Sequence, residues 1–156
     1  MLKKNIFNLF FVIFIFTLDR LSKIFILKLS EPLNELNISI TSFINFNLIW
    51  NEGIAFGLLS FDNKVYYNLI TLLIVLITLI IIWLSDKAIG IEKISFLMIV
   101  GGSLGNLFDR IYYSSVPDFI DIHVGNFHWF IFNVADIFIS LGVLLLIYLE
   151  IFKKKI

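Results

Sequence analysis

The stretch "YNLITLLIVLITLIIIWL", Tyr67–Leu84, runs for 18 residues without a charged side chain. Crossing the hydrocarbon core of a bilayer takes about 20 consecutive, mostly apolar residues in a helix. The stretch therefore reads as a membrane span, and the rest of the chain is read outward from it. Comparable segments at about 6–28, 94–112 and 133–151 accompany the one at about 66–84. The expected fold class is an all-α membrane protein with four transmembrane helices, forming one domain over residues 1–156.

Composition agrees with that reading. The chain is 60% hydrophobic, 17% aromatic and 15% charged, with a mean hydropathy of +0.98, whereas soluble domains are roughly 45–50% apolar and about 25% charged. At 156 residues it has no room for a separate soluble domain. The formal net charge of zero gives nucleic acid no electrostatic handle. There is no cysteine, so disulfide and thiolate chemistry are excluded. No Cys/His cluster has metal-ligand spacing and no glycine-rich phosphate loop follows a strand, so neither a metal nor a cofactor is expected.

Lysines flank the spans on one side. Lys3 and Lys4 precede the first, Lys87 and Lys93 bracket the link between the second and third, and Lys153, Lys154 and Lys155 follow the fourth. By the positive-inside rule these sites face the cytoplasm, which puts both termini inside and residues 29–65 and 113–132 outside. A cleaved signal peptide is the competing reading of the first span. It is disfavoured because no small-x-small site follows and the apolar run continues into "DRLSK".

The outer segments carry strand signals. In "INFNLIWN" (44–51) Ile44, Phe46, Leu48 and Trp50 alternate with Asn45, Asn47, Ile49 and Asn51, a period of two that predicts a half-buried strand. "FIDIHVGNFHWF" (119–130) predicts a hairpin, with Trp129 suited to the interfacial aromatic belt. A small β-cradle on the outer membrane surface is therefore added to the four helices.

At about 1.5 Å per residue, Asp19 lies roughly 20 Å along the first span, with Lys23 one turn further out. Asn106, Asp109 and Arg110 end the third span, while Asn133 and Asp136 open the fourth. Three helices thus bring costly polar groups to one depth, with Asp118 and Asp121 on the loop above. Ionisable groups inside membranes usually face a bundle interior or cavity. The pairs Asp19/Lys23, Asn106/Asp109 and Asn133/Asp136 each share a helix face. Buried ion pairing and chemistry both remain open for Asp19/Lys23 and for Asp109 beside Arg110. Asp118 and Asp136, lacking an adjacent cation in sequence, point to chemistry.

Gly101 and Gly105 form a small-xxx-small face for close helix packing. The run Gly101-Gly102-Ser103-Leu104-Gly105 also fits G-x-S-x-G, with His123 or His128 conceivable as the base. That elbow needs a sharp strand-to-helix turn, whereas Ser103 falls mid-span, and both histidines read as loop or interface residues. What remains is a set of aspartates at a membrane surface. Two close carboxylates share one proton, so one can activate water while the other protonates a carbonyl oxygen. A proton-relaying transporter and a purely structural subunit are the rival classes.

The motifs "DRLSK" (19–23), "NEGIAFG" (51–57), "GGSLGNLFDR" (101–110), "VPDFID" (116–121) and "FNVAD" (132–136) resemble, in order and spacing, the five motifs of lipoprotein signal peptidase, or signal peptidase II. The resemblance implies a multi-pass aspartyl endopeptidase of the bacterial inner membrane, with its active site near the outer leaflet. The implied substrate is a prolipoprotein carrying diacylglycerol on its lipobox cysteine, cut just before that cysteine. It further implies Asp118 and Asp136 as catalytic residues and Asn51, Asn106, Arg110 and Asn133 as substrate-facing groups. Asp19, Lys23, Gly102, Gly105 and Asp109 become structural supports. Membrane lipids are the other expected partners, and a monomer is the expected state. Arg20 stands where glutamine is common in that family and Ser103 where alanine is common. An extra cation at position 20 is expected to alter the field around the aspartates.

Overall fold

The computed structural model describes residues 2–31, 36–53 and 64–152. Four helices, α1 (Leu2–Ser30), α2 (Lys64–Lys87), α3 (Gly90–Tyr113) and α4 (Val134–Phe152), alternate with the strands β1 (Asn37–Ser39), β2 (Ile44–Asn51), β3 (Val116–Val124) and β4 (Phe127–Phe132). The four apolar segments of the sequence coincide with these helices. Only Asn133 falls outside, one residue before α4. By length and composition, Val65–Lys87, Gly90–Tyr113 and Val134–Phe152 are sufficient to cross a membrane. At 29 residues α1 is long enough as well. Asp19, Arg20 and Lys23 set it apart, and its packing accounts for them below.

Helix α3 is the hub, packed against α1, α2 and α4. Its small residues make this possible. A Cβ added at Gly101 would sit 2.8 Å from Ile15 Cβ on α1, and one at Gly102 would sit 2.5 Å from the Ala135 carbonyl oxygen on α4. On the facing side, a Cβ at Gly142 would meet the Ser95 carbonyl oxygen of α3 at 2.6 Å. Backbone therefore approaches backbone at the seam with α4, and at the seam with α1 it approaches the Ile15 side chain, as small-residue faces in membrane helices allow. The outward faces of the helices are long rows of exposed Leu, Ile and Phe, as lipid contact requires.

The strands form one antiparallel sheet in the order β1-β2-β3-β4. Strand β2 occupies the stretch that alternation predicted, yet its burial does not alternate. Residues 44–48 are half-buried, Ile49 and Trp50 exposed and Asn51 buried. The cause is a bulge: Phe46 pairs with Ile120 but Ile49 pairs with Asp118, so one extra residue on β2 intervenes. An extra residue reverses the facing of everything beyond it. Asn51, paired with Val116, therefore joins the Asp118 face instead of sharing a face with Asn45. At the other end of β3, Gly125 at φ 60° takes the glycine position of a two-residue hairpin turn between Val124 and Phe127.

The sheet packs on the bundle through a cluster of Ile26, Leu36 and Phe119, with Phe46, Leu48, Ile120 and Val134 around them. This cluster holds β3 against α1 and the start of α4. Helix α3 ends at Ser114, which adopts a left-handed conformation (φ 59°, ψ 19°) and turns the chain directly into β3. Asp118 follows four residues later, beside the first turn of α4.

Candidate active site

Two carboxylates meet at the edge where β3 passes the start of α4. Asp118 Oδ1 accepts from Asn133 Nδ2 at 2.6 Å and its Oδ2 from Asn51 Nδ2 at 2.9 Å. Asp136 Oδ1 accepts from Asn106 Nδ2 at 2.8 Å, and its Oδ2 from the Asn133 backbone N–H at 3.2 Å. In return Asn133 Oδ1 accepts from the Asp136 backbone N–H at 3.1 Å. This reciprocal arrangement is a capping box, with Asn133 as the N-cap and Asp136 three residues on. The pattern N-x-x-D was visible in the sequence, but reading the pair as two residues on one helix face missed it.

Asn133 is thus the link between the carboxylates. It is fully buried, and its side chain serves Asp118 with one end and the α4 backbone with the other. Asp118 is 3% exposed. Burial and the neighbouring Asp136 charge push its carboxyl up to about 7, against the pull of the Asn51 and Asn133 amides. One of the pair is therefore held neutral near physiological pH, the condition under which two close carboxylates divide acid and base roles.

Around them opens a cavity of about 450 Å³. Its polar end is formed by Asn51, Asn106, Arg110, Asn133 and the two aspartates, and its other end by Ile74, Ile139, Val143 and Leu144. A second cleft, of about 420 Å³ and almost wholly apolar, lies along α4 between Trp129, Phe132, Ile137 and Leu141 and also reaches Asp136. Arg110 donates through Nη2 to the Gly53 carbonyl oxygen. Its Nη1 is buried with no hydrogen-bond partner among the described residues, and Arg110 belongs to the cavity wall.

The remaining sequence candidates lie just behind this site. Lys23 Nζ donates to Asp19 at 2.9 Å, Asp109 at 2.7 Å and Asn106 Oδ1 at 3.0 Å. Asp19 also accepts from the Ala135 backbone N–H at 3.0 Å, satisfying an orphan donor in the first turn of α4. Gly105 makes room for it, since a Cβ there would stand 2.5 Å from Asp19 Oδ2. Asp109 does not pair with its sequence neighbour Arg110. Successive helix residues point about 100° apart, so Asp109 turns to α1 while Arg110 turns to the cavity. The partners of Asp109 are Lys23 and Arg20, the latter donating at 2.5 and 2.6 Å. Arg20 also donates to Asp19 at 2.9 Å and lies over the Phe108 ring. The cation at position 20 is thus matched locally by Asp19 and Asp109, so its charge is spent within the cluster.

Ser103 sits in uninterrupted α3, with no strand-to-helix turn to make a nucleophile elbow. His123 and His128 stack across the hairpin, centroids 5.0 Å apart. Asp121, on the opposite face of β3 from Asp118, is bound by His128 Nδ1 at 2.9 Å. Among the described residues, no group of three or more His, Cys, Asp or Glu side chains is arranged to hold a metal ion. Four residues of the "NEGIAFG" motif, 54–57, lie outside the described residues.

A family model described as "Signal peptidase (SPase) II" matches residues 11–152. The chain is similar to a protein named lipoprotein signal peptidase from Pelagibacter ubique (strain HTCC1062), with 52% identity over 151 residues, 97% of this chain and 91% of that one. A second so named, from Francisella tularensis subsp. novicida (strain U112), is 44% identical over 123 residues, 76% of each chain. Among solved structures, one described as "Bacterial membrane enzyme structure by the in meso method at 1.9 A resolution" superposes with a TM-score of 0.73. At 23% identity, and covering 95% of this chain and 94% of that one, it speaks for the fold alone.

Proposed function

The chain belongs to the signal peptidase II family, whose members are aspartic peptidases that remove signal peptides from prolipoproteins, and on that premise we propose that Asp118 and Asp136 are its catalytic pair. The observation that carries this reading is their shared setting, two buried carboxylates bridged by Asn133 at the polar end of an otherwise apolar cavity. One carboxylate takes a proton from water, which attacks the scissile carbonyl. The other, kept neutral, donates its proton to the carbonyl oxygen and stabilises the tetrahedral intermediate. On collapse the first carboxyl passes the proton it took from water to the departing amine, while the second recovers its own from the hydroxyl as the carbonyl re-forms.

The preferred substrate on this reading is a prolipoprotein whose cysteine already bears diacylglycerol, cut before that cysteine. Such a chain is apolar on both sides of the scissile bond, with the signal peptide on one and the acyl chains on the other. Two apolar clefts that both reach Asp136 suit it, and each buried CH₂ contributes about 0.8 kcal/mol. Arg110 Nη1 is the group available to the peptide, and Asn51 and Asn106 line the same cavity. The decisive assay offers purified enzyme a lipidated prolipoprotein peptide and the same peptide without its diacylglyceryl group. Cleavage confined to the lipidated form is expected, and equal cleavage of both would overturn the substrate assignment.

The protein resides in a bacterial membrane. The lysines at 3–4, 87–93 and 153–155 favour cytoplasmic termini and a site near the outer leaflet. Lys87 additionally lies 3.4 Å over the Trp83 ring, a pairing suited to the membrane interface. Reporter fusions after residue 125 should register outside and those after residue 88 inside. The reverse pattern would invert the whole arrangement.

Asp118 gives the reaction a pH signature. An acid held at about 7 loses its proton above that value, so kcat/KM should decline as pH rises beyond about 7. Stability follows the same sign. A carboxyl raised from 3.8 in the unfolded chain to about 7 in the fold binds its proton more tightly when folded, so its stabilising contribution is lost as pH climbs through that window. The melting temperature of the wild type, taken relative to Asp118→Asn, should therefore fall between pH 4 and pH 7. A flat difference would mean that Asp118 titrates as an ordinary carboxylate.

A further inference from the structure

Three asparagines surround the two aspartates, and each is polarised in the same way. Asn51 Oδ1 accepts from the Gly53 N–H at 2.9 Å, leaving Nδ2 for Asp118. Asn133 Oδ1 accepts from the Asp136 N–H at 3.1 Å, again leaving Nδ2 for Asp118. Asn106 Oδ1 accepts from Lys23 Nζ at 3.0 Å, leaving Nδ2 for Asp136. In the first two cases a backbone N–H sets the amide. In the third it is the Lys23 side chain that sets it.

The distinction matters because an amide is two-faced. Turned by 180° about its last torsion, Asn106 would present its oxygen to Asp136, and that contact is favourable only if Asp136 carries a proton. An ammonium has three donors and no acceptor, so with Lys23 in place only the oxygen of Asn106 can face it. Both carboxylates then receive N–H groups on both oxygens, but only at Asp136 does one of them come from backbone, at the positive end of the α4 dipole, where negative charge is favoured. The charged groups around Asp136 are Asp118 from β3, Lys23 and Asp19 from α1 and, on the wall of the same cavity, Arg110 from α3. Lys23 is itself held in place by Asp19 and Asp109 and is 1% exposed.

We propose that Lys23 is a positioning residue of the reaction: acting through Asn106, it fixes Asp136 as the ionised partner that takes the proton from water, and so leaves the shared proton on Asp118. The inference rests on the assignment of Asp118 and Asp136 as the catalytic pair. It gives the two carboxylates unequal roles and places the origin of the inequality on α1, one residue removed from the chemistry.

The test is a double-mutant cycle on cleavage rate per folded enzyme, with the lipidated peptide as substrate. Lys23→Met alone leaves Asp109 and Asp19 with one cation, so it is combined with Asp109→Asn, which keeps the cluster neutral through Asp19 and Arg20. This charge-balanced variant should fold, keep its KM within about threefold and lose kcat by about 10- to 100-fold, short of the roughly 10²–10⁴ that accompanies loss of an acid or base itself. Asn106→Ala should lose a similar amount. Adding the charge-balanced pair to Asn106→Ala should cost less than about threefold more, since Lys23 would have nothing left to orient. A normal kcat in the charge-balanced variant overturns the proposal, and so does a loss that simply multiplies with that of Asn106→Ala. If the balanced pair fails to accumulate, the same cycle is run with Lys23→Gln, whose amide can offer Asn106 either face. Asp136→Asn is measured alongside. Activity there would refute the catalytic pair itself, whereas an inactive Asp136→Asn with a fully active Lys23 variant would refute the relay alone.

Discussion

Asp118→Asn and Asp136→Asn should each lower the cleavage rate per folded enzyme by roughly 10²–10⁴-fold, the span typical of a lost acid or base. Asparagine keeps the shape of the carboxyl group and removes its titratable proton, so the change isolates chemistry from packing. At position 118 the new amide would meet two donors, Asn51 Nδ2 and Asn133 Nδ2, with only one acceptor, and at position 136 it would weaken the capping box of α4. A lost cap costs about 1 kcal/mol, too little to unfold the protein, so both variants should insert and accumulate. Because the two carboxylates act on one water and one carbonyl, the double variant should be scarcely slower than either single one, as members of one catalytic unit are strongly non-additive. Asp121→Asn is the internal control: its carboxylate faces His128 on the other side of β3, and its rate should stay near that of the wild type. Retention of more than about a tenth of the rate by Asp118→Asn or Asp136→Asn would break the assignment.

Asp109→Asn should act first on the fold, with an effect as large in its own measure. Asp109 is fully buried and accepts from Arg20 and Lys23 together. Its neutralisation leaves two cations with Asp19 as their one remaining carboxylate in the cluster. Removing one partner of a buried pair costs about 3–5 kcal/mol, because the other charge is stranded, and the membrane offers no water to relieve it. Little folded protein should be recovered, and what is recovered should melt well below the wild type. Arg20→Gln added to Asp109→Asn returns the cluster to one carboxylate and one cation, Asp19 with Lys23, and should restore much of the yield. Wild-type levels of the single variant would show that the cluster carries no structural weight.

How far the sequence revealed this architecture depended on the range of the interaction involved. Hydrophobic runs located all four helices, and alternation located β2, because both patterns are local consequences of burial. The convergence of Asp19, Asp109 and Asp136 at one depth also followed from counting residues along helices of known rise. The facing of Asn51 did not, since it depends on a one-residue bulge between Phe46 and Ile49 that no turn residue announces. Nor did the partners of Asp109: proximity in sequence suggested Arg110, but helical geometry sends consecutive side chains apart and brings Arg20 across from α1. The attachment of Asp19 to the Ala135 N–H joins residues 116 positions apart and has no local signature at all.

That separation has a counterpart in time. Arg20 and Lys23 leave the ribosome with Asp19 beside them, but their second carboxylate, Asp109, is 89 and 86 positions downstream. At about 5–20 residues per second of synthesis, several seconds pass before the matching charge exists, and more before α3 has entered the bilayer. Throughout that interval the first helix bears an uncompensated positive charge at a depth where α3 will later bury it. The charges of α1 are therefore balanced within the bundle only once the third helix arrives to receive them.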